Sequence, residues 1–132
     1  MIESLRRFFY SIARLPRSNG FGIQSPFAFI FVTKVVRDTK YHDYYASLDP
    51  NCSDSALRLR KFYLRLLDFL KEEESFNAVY IIEGIYSSKE INALWETIVQ
   101  SSKVVVSFDL YDCGVVFVEG KMPKFNYKVM LV

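Results

Sequence analysis

The stretch that most limits what this chain can become is its last segment, from Lys103 to Val132: KVVVSFDLYDCGVVFVEGKMPKFNYKVMLV. Val, Phe and Tyr fill three runs. Asp112-Cys113-Gly114 and Gly120-Lys121-Met122-Pro123 separate them, the pattern of three strands joined by two turns. A meander this apolar does not stand alone and needs cover from the helical sequence that precedes it. The expected fold class is therefore α/β, with N-terminal helices packed on a small mixed sheet of about four strands.

The remaining strand comes from Asn77 to Ile82 (NAVYII), a short apolar run of the kind buried on both faces of a sheet. Ser87 and Glu90 have the spacing of a capping box and open a helix whose buried face reads Ile91, Leu94, Trp95 and Ile98. A strand, a helix and a second strand in this order predict a right-handed parallel crossover from 77–82 to 103–110.

Upstream, the spacing predicts three more helices. Residues 2–15 carry an apolar stripe of Leu5, Phe8, Phe9 and Ile12 among Arg6, Arg7 and Arg14. Ser25 as N-cap and Pro26 at the first position open a helix over 26–38. Ser53, Asp54 or Ser55 caps a third, ending near Lys71, with Leu59, Tyr63, Leu66, Leu67 and Leu70 on one face and Arg58, Lys61, Arg65 and Asp68 mostly on others. Between them, Tyr41, His42, Tyr44 and Tyr45 form a polar loop whose tyrosines read as partly buried. With 132 residues the chain is expected to be one domain, 1–71 as helical cap and 77–132 as strand, helix and meander.

Hydrophobic residues make up 51% and aromatics 17%, more than a core of this size needs, which points to a buried subunit interface as well. Two cysteines and one histidine are too few for a zinc site, and no CxxC is present. No run reaches the length of a membrane span and no secretory leader is recognised, so a cytoplasmic protein with reduced thiols is expected. Residues 1–71 carry twelve Lys/Arg against six Asp/Glu, and residues 72–132 five against nine. Packing of complementary halves accounts for this asymmetry more simply than a basic face for nucleic acid or anionic lipid.

The five glycines supply no phosphate loop: none of them follows a strand in the required grouping. Glu83 is the best single candidate for function, because carboxyl ends of strands in open α/β sheets border ligand crevices. No triad, no metal set and no catalytic carboxylate pair is recognised.

The order of segments resembles a group of bacterial class I S-adenosylmethionine-dependent methyltransferases. Phe21–Phe31 (FGIQSPFAFIF) is similar to that group's opening His-Gly-Val-His-Ser-Pro-Phe stretch. Val79–Val132 looks like its fifth strand, the following helix and its closing hairpin of sixth and seventh strands. Phe21 and Gln24 stand where the family motif has histidines, Glu83-Gly84 where it has an acidic pair, and Tyr86 where it has a histidine. Between Lys71 and Asn77 the first four strands of the family are missing, and with them the acidic-Gly-x-Gly loop that holds the cofactor.

The resemblance implies a C-terminal remnant of a Rossmann-like methyltransferase fold without a cofactor site. It also implies an order in which strand 114–119 lies between 77–82 and 103–110, with 125–132 at an edge. The far edge of 77–82 is then bare, and Val79, Tyr80, Ile81 and Ile82 form the candidate edge for a homo-oligomer or another protein partner. Glu83 and Tyr86 form the candidate ligand crevice. A non-catalytic protein acting by association is the leading expectation. The alternatives are a subunit that completes a methyltransferase with a separate partner, and a basic-face binder using Arg6, Arg7, Arg14, Arg17, Arg58, Arg60 and Arg65.

Overall fold

The computed structural model describes residues 25–73 and 76–132. The expected helix over 2–15, with Arg6, Arg7 and Arg14 of the basic face, lies outside the described residues, as does Arg17. The first described helix, α1, spans Pro26–Phe31; Ser25 caps it by accepting the Ala28 N–H at 3.3 Å. It continues as a π-helical turn over Val32–Val36, where β-branched side chains crowd an α turn. The last carbonyls of such a segment have no partner along the helix. Here those of Val35 and Val36 accept from the guanidinium of Arg65, at 2.5 and 3.3 Å.

Arg65 belongs to α2, Asp54–Leu70, which is capped by Ser53 through the Ala56 N–H at 3.2 Å. The expected apolar face of this helix needs correction in two places. Leu67 is 61% exposed, and Arg65, expected to face away from the core, is 4% exposed. The buried stripe runs through Phe62, Arg65 and Leu66. An arginine can lie in it because its donors are used: besides Val35 and Val36 it reaches the carbonyl of Val132 at 3.2 Å and the hydroxyl of Tyr45 at 3.0 Å. A buried charge without such partners is very costly.

The sheet contains β1 (Ala78–Glu83), β2 (Val104–Asp109), β3 (Cys113–Val118) and β4 (Phe125–Lys128), in the order β1-β3-β2-β4. β3 runs antiparallel between β1 and β2, which are therefore parallel to each other, and β4 is parallel to β2. This is the strand order expected from the resemblance. Helix α3, Lys89–Gln100, makes the crossover from β1 to β2. Its N-cap is Ser88, which accepts the Ile91 N–H at 3.1 Å. Ser87 instead donates to the Gly84 carbonyl at 2.6 Å, so the predicted capping box is not formed. Leu94, expected on the buried face of α3, is exposed; Trp95 and Val99 are the buried pair.

The two faces of the sheet are covered unequally. On one, α1, the π turn and α2 enclose an aromatic core that includes Phe31, Phe62, Phe108, Phe117 and Tyr127. On the other, α3 is the covering helix among the described residues, and Trp95 packs there with Ile85, Val99, Val104 and Val116. The turn expected at Asp112-Cys113-Gly114 falls slightly earlier: Tyr111 takes the left-handed conformation (φ 70°) and Cys113 begins β3. Gly114 is thus a strand residue. A Cβ on it would lie 2.3 Å from the Trp95 ring, so the indole requires glycine at this place.

Candidate functional site

Two places qualify. The first is at the carboxyl ends of β1 and β2, where the sequence singled out Glu83 and Tyr86. The chain leaves β1 at Glu83 and turns at Gly84, whose left-handed φ of 65° suits a residue without a Cβ. The Gly84 N–H donates to the Asp112 carbonyl at 3.1 Å, which ties this turn to the β2–β3 connection. Tyr86 reaches across it. Its hydroxyl donates to the carboxylate of Asp109, and its ring stacks on Tyr111 at 5.3 Å. Asp109 is fully buried and also accepts the Tyr111 N–H at 3.0 Å. Glu83 accepts from the hydroxyl of Tyr63 on α2, and Arg58 lies 3.5 Å from Asp112.

Glu83 and Tyr86 therefore do border one cleft, of about 320 Å³, shared with Ser55, Leu59, Tyr111 and Asp112. Its chemistry is that of satisfied pairs. Burial, and then the hydrogen bond to Glu83, hold the Tyr63 phenol far above its usual range. Burial, reinforced by Asp112, Glu83 and Asp109, holds the Cys113 thiol protonated as well. A protonated thiol is not a nucleophile. His42, the one imidazole, lies elsewhere: its Nε2 is 2.7 Å from Asp38 and its ring stacks on Tyr44. Burial opposes ionisation of Asp38, but the Lys40 N–H and His42 outweigh it and hold that carboxyl below its ordinary value. Of the tyrosines expected to be partly buried, Tyr45 is buried and Tyr41 is exposed. Among the described residues no cluster of His, Cys, Asp and Glu is arranged to hold a metal ion.

The second place is the outer edge of β1. This strand was expected to be buried on both faces, and it is not: Tyr80 is 58% and Ile81 37% exposed. It is an edge strand with no neighbour beyond it among the described residues. In an antiparallel ladder, residues that exchange hydrogen bonds with one neighbour alternate with residues that face the other way. Leu110 donates to Cys113 and Glu119 to Lys103, so odd-numbered residues of β3 face β2. Gly114, Val116 and Val118 consequently face β1, opposite Ile82, Tyr80 and Ala78. The N–H and C=O groups of Val79, Ile81 and Glu83 are left pointing outward. Beside this edge, on the α3 side, runs an apolar groove of about 440 Å³ lined by Tyr80, Ile82, Ile98, Val104, Val116 and Val118.

Sequence reasoning assigned no role to Asp109, whose carboxylate is buried. The available signal was the position of Asp109 at the carboxyl end of a strand, the same signal that selected Glu83. The basic face loses members: Arg65 is buried and Arg58 is partnered by Asp112, whereas Arg60 is exposed. No described helix is long and apolar enough to cross a membrane. Comparisons of the chain with protein-family models, with curated proteins and with solved structures return no match.

Proposed function

We propose that this chain is a non-catalytic, methyltransferase-like protein that works by associating with another chain through the outer edge of β1. The observation that carries this reading is the edge itself. Val79–Ile82 has no charge, no proline and no bulge, the devices by which monomeric proteins blunt an edge strand. The strand order and the linking helix α3 support the methyltransferase resemblance. The protonated thiol and the paired carboxylates around Glu83 support a site without catalytic work. Free Cys52 and Cys113 suit a reduced, cytoplasmic setting.

Calorimetric titration with S-adenosylmethionine tests the non-catalytic half of the proposal. No binding heat is expected, and micromolar affinity would overturn it. The alternative, a subunit that completes a methyltransferase with a separate partner, draws on the same β1 edge, where the family's fourth strand lies. A separate chain that restores S-adenosylmethionine binding when mixed with this one would favour that alternative.

A further inference from the structure

We infer that the occupant of the β1 edge is a second copy of this chain, bound antiparallel about a two-fold axis with Tyr80 opposite Tyr80. The inference deepens the proposed association and rests on it. A two-fold interface has to be self-complementary, because the same patch serves both subunits. The apolar run Ala78–Ile82 meets this requirement in one register. Its centre is Tyr80, so that register sets Ala78 against Ile82, Val79 against Ile81 and Tyr80 against itself.

The polar ends then meet each other: Asn77 stands against Glu83 of the second copy, an amide against a carboxylate, with no like charges opposed. Moving the register by two residues, to set Ile81 against Ile81, would bring Glu83 onto Val79. A further shift toward Glu83 would set carboxylate against carboxylate.

Backbone geometry permits this arrangement. Val79 and Ile81 are the residues whose hydrogen-bonding groups point outward, and in this register they face each other, forming a pair that exchanges both bonds. Tyr80 becomes a non-hydrogen-bonded pair, the kind in which opposed side chains approach most closely. A two-fold axis perpendicular to the sheet keeps both copies of α3 on one side. The two tyrosines then lie between the two apolar grooves and cover them, which gives the exposed ring of Tyr80 its function.

The register is testable by sedimentation of the full chain carrying Tyr80→Glu or Tyr80→Lys. The wild type should be a dimer at micromolar concentration, each charged variant alone a monomer, and an equal mixture of the two variants a dimer again. In a Cys52→Ser background, Tyr80→Cys should form an intermolecular disulfide under mild oxidation. Cα atoms about 4.5 Å apart in such a pair fall within the roughly 4.4–6.8 Å that a disulfide spans. Ile81→Cys should not cross-link.

A monomeric wild type would overturn the inference, whether the edge is open or covered by the chain's own N-terminal segment. So would a dimer that survives Tyr80→Glu, or cross-linking through Ile81→Cys in place of Tyr80→Cys. These results leave the S-adenosylmethionine titration untouched, so failure of the dimer and failure of the non-catalytic reading are told apart.

Discussion

β1 and β3 are both six residues long, both apolar, and hydrogen-bonded to each other from Ala78–Val118 to Glu83–Cys113. Yet five of the six residues of β3 are buried, while none of β1 is. The difference comes from neighbours. β3 has a strand on each side and helices over both faces, whereas β1 has a strand on one side and lies where α3 leaves the sheet uncovered. Apolar sequence makes a strand suitable for burial; the other elements decide whether it is buried. In β1 that suitability is unused within one described chain, and this is why it reads as an interface.

The contrast can be broken most severely from the β3 side. Phe117 is fully buried among Phe27, Phe31, Phe76 and Phe108. Phe117→Ala should cost about 3–5 kcal/mol of stability in urea unfolding, as for other large aromatic truncations. Gly114→Ala attacks the other face of the same strand. Its methyl group meets the rigid indole of Trp95, and a loss of about 1–3 kcal/mol is expected from overpacking.

A smaller effect couples the two strands through pH. Cys113 of β3 stands opposite Glu83 of β1, and Tyr63 donates to Glu83. Both the thiol and the phenol are raised above their unfolded values of 9.0 and 10.0. Groups that hold protons more tightly when folded contribute full stability below those values and lose it as pH rises. Stability should therefore begin to fall near pH 9, and Cys113→Ala with Tyr63→Phe should flatten the decline. Least affected is β1 itself. In protein diluted until monomeric, Tyr80→Ala should change unfolding stability by no more than about 0.5 kcal/mol.

What the sequence disclosed follows the range of the forces involved. Caps at Ser25 and Ser53 are local, set by a hydroxyl and an N–H three residues on, and they are found where expected. The strand order was legible only through resemblance to a known arrangement, because the pairing of β3 between β1 and β2 joins distant residues. Arg65 was illegible: a charged residue at a helical position reads as solvated until four separate acceptors converge on it. The need for glycine at position 114 was not legible, because the indole that requires it is far away in sequence. At the candidate site, Glu83 was legible from its strand-end position and Tyr86 through the resemblance, while their partners Tyr63 and Asp109 come from other elements and were not.

Residue-resolved amide hydrogen exchange across β1, in the wild-type chain and the Tyr80→Glu variant, distinguishes a covered edge from an open one. Ala78, Tyr80 and Ile82 face β3 and should be protected in both. Val79 and Ile81 should be protected in the wild type at micromolar concentration and exchange rapidly in the variant. Rapid exchange of Val79 and Ile81 in both proteins, with Tyr80 protected beside them, would show an edge that nothing covers and would rule out association through β1.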